Sequence, residues 1–258
     1  MNRITSLFKQ KEKGILNVYF TAAYPNLHDT LPTMKALEAS GVDLIEVGIP
    51  YSDPIADGPT IQESNGQALA NGISLSLLFE QLATMREEVS VPVILMGYVN
   101  PIEQFGMEKF CKKCQEVGVD GVILPDLPMY EYLNDYRELF KSHGLLNIFL
   151  ITPQTSEERI RMIDEHSEGF IYMVSSASTT GAKTGISNEQ EQYFNRIAEM
   201  QLKNPCLIGF GISDAKSFQK ACEHAHGAIV GSAFIKAISG EGEIDTKVKT
   251  FIQNLLKN

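Results

Sequence analysis

The chain has 258 residues, 43% of them hydrophobic, and a formal net charge of −10. That apolar share supports a sizeable core and excludes a disordered chain, and the acidic balance argues against a nucleic-acid partner, which needs clustered lysine and arginine. No apolar run approaches the roughly 18 residues that cross a bilayer, and the N-terminal stretch has no apolar signal core, so a cytoplasmic protein is expected.

Ile4, Leu7 and Phe8 predict a short amphipathic helix at the start. Residues 16–23 read as a strand, and Leu27, Leu31, Met34 and Leu37 mark a helix that ends at Gly41. Residues 44–49 follow, a β-branched apolar run bounded by Gly41 and Pro50, as expected of a strand buried on both faces. Glu46 stands in its middle. A buried carboxylate without partners is costly and takes up a proton, so Glu46 either pairs with a neighbouring lysine or arginine to hold the fold, or does chemistry. Asp57 lies in the loop that follows, where Pro50, Pro54, Gly58 and Pro59 impose a fixed, largely non-helical path.

A short helix near residues 61–70 and an amphipathic one marked by Leu75, Leu78, Phe79, Leu82 and Met85 lead to a third strand at 91–98. Met107–Val117 is a helix carrying Cys111 and Cys114 one turn apart. Lacking a second ligand pair or a strand-to-helix junction, the two read as packing residues, and four cysteines in all suggest no disulfide framework. Residues 121–125 form a fourth strand, and a helix containing Tyr132, Leu133, Tyr136, Leu139 and Phe140 is closed by Gly144. A fifth strand at 147–152 is followed by a polar helix at 156–166. A sixth strand at 170–175 precedes a helix marked by Tyr193, Phe194, Ile197 and Met200. The seventh strand spans 206–210, with a helix starting near Ser213, and the eighth is Gly227–Val230. The chain ends on helices, the last marked by Val248, Phe251, Ile252, Leu255 and Leu256.

Eight strand–helix units without a linker or composition break demand a parallel sheet and predict a (β/α)8 TIM barrel over residues 1–258, one domain with a short N-terminal helix and extra helices. A doubly wound sheet would carry a glycine-rich loop after its first strand, where this chain has Thr-Ala-Ala-Tyr-Pro. Barrel sites lie at the C-terminal ends of the strands. Alternation sends Leu44, Glu46 and Gly48 into the lumen and Ile45, Val47 and Ile49 toward the helices, with Gly48 leaving room above Glu46 and Asp57 reaching the same mouth. Across the barrel, Gly-Phe-Gly-Ile-Ser at 209–213 and Gly-Ser-Ala-Phe at 231–234 follow the last two strands; their amides and a helix opening at Ser232 suit an anion. The small, polar, glycine-punctuated stretch 175–185 suits a mobile lid. Tyr19, Met96, Tyr98 and Tyr172 are expected in the lumen, enough for an aromatic ligand.

The run Glu-Val-Gly-Ile-Pro-Tyr-Ser-Asp-Pro-Ile-Ala-Asp-Gly-Pro-Thr-Ile-Gln at 46–62 resembles the signature of the tryptophan synthase α subunits. Met-Gly-Tyr-Val-Asn-Pro, Leu-Pro-Asp-Leu-Pro, Thr-Thr-Gly, Gly-Phe-Gly-Ile-Ser and Gly-Ser-Ala follow in family order, so the likeness covers essentially the whole length. It implies retro-aldol cleavage of indole-3-glycerol phosphate to indole and glyceraldehyde 3-phosphate. Glu46 matches the general acid/base that protonates indole C3, Asp57 the carboxylate that accepts the indole N–H, and Tyr172 a tyrosine supporting Glu46. Tyr19, Met96, Ile123 and Ile151 match indole-pocket positions, Tyr19 standing where many members have Phe. Gly181, Phe210, Gly211, Gly231 and Ser232 match phosphate binders, and Thr180 a threonine that bonds the loop aspartate. The resemblance further implies a β subunit as partner, in an α2β2 complex, docking near Pro50, Asp53 and Asn100, with pyridoxal phosphate in that partner and no cofactor or metal in this chain. Ser176 and Ser178 depart from the arginine and glycine common in the family.

A Schiff-base aldolase would need a lysine at a strand end inside the barrel, and the predicted strands contain none; a metal-dependent aldolase would need clustered histidines, whereas the five here fall on helices or their ends. A free-standing indole-producing lyase and a non-catalytic activator of a β subunit remain the alternatives within the resemblance.

Overall fold

The computed structural model describes residues 1–174, 187–209 and 211–257. Short, apolar, β-branched runs make its strands: β1 (Ile15–Thr21), β2 (Leu44–Gly48), β3 (Val93–Met96), β4 (Gly121–Ile123), β5 (Leu146–Asn147), β6 (Phe149–Ile151), β7 (Ile171–Val174), β8 (Cys206–Gly209) and β9 (Gly227–Val230). Every residue of β1, β2 and β7 is buried, as expected where one face of a parallel strand meets helices and the other a lumen. All pairings are parallel, in the order β5-β4-β3-β2-β1-β9-β8-β7-β6.

The predicted fifth strand is divided. Its first half, β5, pairs with β4 and its second, β6, with β7, with Ile148 alone between them. Ile148 still donates its N–H to the Val122 carbonyl at 2.9 Å. The two ends of the strand order are therefore halves of one stave, and the sheet closes through it as a (β/α)8 barrel. Several strands stop short of the predicted apolar runs. Residues 22, 49 and 97 keep single ladder-like bonds (Ala22 N to Gly48 O at 3.0 Å, Ile49 N to Met96 O at 2.7 Å, Gly97 N to Ile123 O at 3.0 Å) but already turn into the loops above.

Two apolar layers follow from the period of two. Ile45, Val47 and Ile49 pack outward among the helices, while Leu44, Ile94, Ile123, Ile148, Leu207 and Ile229 form an inner cluster. The N-terminal helix, Arg3–Gln10, closes the lower end of that cluster. Asn2 caps it by accepting from the Ile4 N–H at 2.9 Å, and fully buried Ile4 inserts into the barrel, a burial worth about 2 kcal/mol. Gly121 and Gly169 make the space: a Cβ at either would stand 3.0 and 3.2 Å from Ile4 side-chain atoms. Phe8 packs beside it on Phe170, ring centroids 5.7 Å apart.

Cys111 and Cys114 are buried on the helix Met107–Val117, as packing residues should be, and burial pushes the Cys111 thiol up to about 12 and that of Cys114 well above its usual value. Among the described residues no helix is long and apolar enough to cross a membrane, and no group of three or more His, Cys, Asp or Glu residues could hold a metal ion.

Candidate active site

Glu46 projects from β2 into the lumen and is 1% exposed. Its Oε2 accepts from Nδ2 of Asn17 at 2.9 Å, while its Oε1 has no hydrogen-bond partner among the described residues. None of the ion pairs among the described residues includes Glu46, so no lysine or arginine among them pairs with it. Burial pushes its pKa up to about 8; the Asn17 bond pulls the other way and the nearby Asp57 charge adds to the rise.

Asp57, 5% exposed, sits on the turn between β2 and the helix Pro59–Ala70. Its N–H donates to the Pro54 carbonyl at 3.0 Å, and Gln62 Nε2 donates to its carbonyl at 2.8 Å. The Tyr98 hydroxyl donates to Asp57 Oδ2 at 3.0 Å and accepts from the Ala56 N–H at 3.1 Å. Burial lifts the Asp57 carboxyl to about 6, against the lowering effect of that Tyr98 bond. Tyr98 thus clamps the loop that carries Asp57. Tyr51 packs on its ring at 5.2 Å and receives a 3.3 Å bond from Asn100 Nδ2.

Two tyrosines lie over two glycines at the mouth. A Cβ on Gly48 would collide with the Tyr19 phenol, and one on Gly209 with that of Tyr172. The room at Gly48 is therefore occupied by Tyr19, which stands opposite Glu46 in register, rather than left open above the carboxylate. Burial holds both phenols protonated, their pKa values raised well above the usual tyrosine range. Gly48, Met96 and Ile123 run side by side across β2, β3 and β4 as one wall.

Ile151 is not part of this wall. It is fully buried and stands opposite Met173, while its neighbour Leu150 stands opposite Tyr172 and packs against the inner cluster. Leu150 therefore shares the face of the sheet that carries Tyr172. On the far side, β8 and β9 are neighbours, so the turns after them lie together. Gly211 there has φ +78°, a left-handed conformation that favours glycine, and Gly231 caps the helix Ser232–Ile238, whose first N–H groups have no acceptor inside the helix. Thr180, Gly181 and Phe210, together with the expected lid at 175–185, lie outside the described residues. Asp53 and Asn100 are exposed and Pro50 partly so, all at this end of the barrel, where Ile55 is 86% exposed.

Sequence reasoning missed Asn17, the role of Tyr98, and Leu150. Asn17 left a trace, as a polar residue alternating with Tyr19 and Thr21 inside an apolar strand. The Tyr98–Asp57 bond left none, because it joins residues 41 positions apart.

A family model described as "Tryptophan synthase alpha chain" matches residues 5–257. The tryptophan synthase alpha chain of Flavobacterium johnsoniae is 56% identical over 252 residues, 98% of either chain, and that of Parabacteroides distasonis is 58% identical over 241 residues, 93% of this chain and 94% of the other. Among solved structures, the tryptophan synthase subunit alpha from Legionella pneumophila superposes with a TM-score of 0.88 at 34% identity, covering 99% of this chain and 97% of that one. A chain of tryptophan synthase from M. tuberculosis, in an aminoacrylate-bound form, gives 0.85 at 28% identity, with 99% and 98% covered.

Proposed function

The chain belongs to the tryptophan synthase alpha chain family, and from that premise we propose that Glu46 and Asp57 carry its carbon–carbon lyase reaction, the retro-aldol cleavage of indole-3-glycerol phosphate to indole and glyceraldehyde 3-phosphate. The observation that carries this assignment is a pair of buried carboxyl groups at the barrel mouth, without a cation among the described residues, whose pKa values stand apart at about 8 and about 6. Near neutral pH Glu46 holds its proton and Asp57 is largely ionised, the division of labour that the reaction requires.

Glu46 gives a proton to indole C3 while Asp57 accepts the indole N–H and stabilises the positive charge that develops on the ring. The C3–C1′ bond of the glycerol side chain then breaks. Its electrons restore the indole, the C1′ hydroxyl becomes the aldehyde, and the hydroxyl proton returns to Glu46, so the proton count closes. Tyr172 supports Glu46. Tyr19, Met96, Ile123 and Leu150 wall the indole, and Gly211, Gly231 and Ser232 hold the phosphate, with Gly181 and Phe210 as further phosphate contacts and Thr180 as a second partner for Asp57. The whole of 1–258 acts as one domain.

The step as written needs only proton transfer, so no cofactor of this chain enters it. The family's place as one chain of a synthase supports a β-subunit partner. We place its docking at Pro50, Asp53 and Asn100, in an α2β2 complex in which pyridoxal phosphate belongs to the β subunit, in a cytoplasmic setting. The test is indole release from indole-3-glycerol phosphate by the purified chain, alone and with the β subunit of the same organism. Weak release alone and a strong increase in the complex are expected. No release in either case overturns the assignment, and strong release with no complex identifies a free-standing indole producer.

A further inference from the structure

We infer that Asn17 is a positioning residue for Glu46, an amide that serves the carboxyl group in both of its protonation states. The inference rests on Glu46 being the proton-transferring group.

Asn17 is fully buried on β1, between Leu44 of β2 and Ile229 of β9 in register. Only half of its amide is engaged. Nδ2 donates to Glu46 Oε2 at 2.9 Å, while Oδ1 is buried with no hydrogen-bond partner among the described residues. A leucine, branched at Cγ as asparagine is, would leave no polar atom unpaired in this apolar layer, so packing does not account for an asparagine here. What the amide does is hold one oxygen of Glu46 and leave the other, Oε1, free for a reacting atom.

An acid/base must be ionised in one half of its cycle and protonated in the other. A lysine or arginine at position 17 would lock Glu46 in the charged form, and an apolar residue would leave both oxygens unheld. The amide does neither. As found, it donates to Glu46; turned by half a revolution about Cβ–Cγ, it presents Oδ1 to accept from a protonated carboxyl. Among the described residues the titratable groups that face Glu46 are Tyr19 of β1, Tyr172 of β7 and Asp57 of the loop after β2, and none of them is a cation.

The test compares Asn17→Leu and the smaller Asn17→Val with Glu46→Gln, reading indole release against pH together with the infrared carboxyl band that Glu46→Gln removes. Because the bond to the ionised carboxylate is the stronger of the two, loss of the amide should move the Glu46 limb of the pH profile and its infrared titration up by about one pH unit. Turnover should fall about tenfold with KM within about twofold, and the melting temperature should hold or rise. If both apolar variants keep the normal limb and titration, the inference is overturned, even should turnover drop, since a structural role alone would do that. If Glu46→Gln retains near-normal turnover, the reading of Glu46 itself fails and the inference falls with it, an outcome separate from the first.

Discussion

At the lower end of the barrel Asp120, 3% exposed, takes a 2.6 Å bond from Arg86 Nη2, a 3.0 Å bond from Arg3 Nη1 and the Val93 N–H at 2.9 Å. At the upper end Glu46, 1% exposed, receives one amide, and Asp57 one phenol. These are three buried carboxyl groups in one barrel, put to two uses. Asp120 is ringed by donors and cations, and through them ties the N-terminal helix and the 85–88 segment to β3 and β4. Arg86 extends the tie, donating to the carbonyls of Gly118, Val89 and Val91. Among the described residues Glu46 and Asp57 face no cation, and one neutral donor each does not offset desolvation, so their pKa values stand raised to about 8 and about 6. The glycines repeat the contrast: those below admit Ile4 as a plug, whereas Gly48 and Gly209 admit the two tyrosines of the site. The three carboxyl groups are alike in burial and differ in the partners supplied to them.

The sharpest way to break this comparison is to remove the bracing acid. Asp120→Ala strips the carboxylate from Arg86, whose side chain is 18% exposed, and should cost about 3 kcal/mol in denaturant unfolding while turnover per folded molecule is kept. A stability near that of the parent would mean that the lower network is ornamental. Glu46→Gln should do the reverse, lowering turnover about a hundredfold or more, equivalent to roughly 2.7 kcal/mol of barrel chemistry, without loss of folding.

Its effect on melting should also depend on pH, and the sign follows from linkage. The folded protein holds the Glu46 proton up to about 8, whereas the unfolded chain releases it near the ordinary value of 4.5. Stability from this group is fully present below 4.5 and is lost as pH rises through about 8. The Gln variant has no such loss, so its melting temperature should gain on the parent between those values and run parallel above them. A constant difference across that window would contradict a proton held by Glu46.

Tyr98→Phe is a smaller perturbation of the same end. It removes the donor that favours ionised Asp57, so the carboxyl pKa should rise further above about 6. We expect turnover to fall about tenfold near pH 6 and less near pH 8, together with a stability loss of about 1 kcal/mol. Equal losses at the two pH values would assign Tyr98 to loop packing alone. Least of all, Ile151→Val should cost about 1 kcal/mol of stability and leave KM unchanged, whereas Leu150→Ala should raise KM for indole-3-glycerol phosphate. Reversed outcomes would return Ile151 to the pocket wall.

Element by element, the alternation of apolar runs with helical periods was enough to dictate a closed parallel barrel, because both faces of each strand must be buried and each crossover needs a helix. Glu46 could be aimed into the lumen from sequence because a lone charge marks the phase of its strand. Phe149, Leu150 and Ile151 carry no such mark; all are apolar, and the inward one could be fixed only when β6 was laid beside β7, opposite Tyr172. The same holds for the partners of the acids. Asn17 meets Glu46 on the neighbouring strand, and Tyr98 meets Asp57 from the end of another, contacts set by strand stagger and loop path. Residue types and their spacing determined the barrel and its two carboxylates. Which groups surround those carboxylates, and hence how tightly each holds its proton, was decided by the tertiary structure, since desolvation and hydrogen bonding act through space and not along the chain.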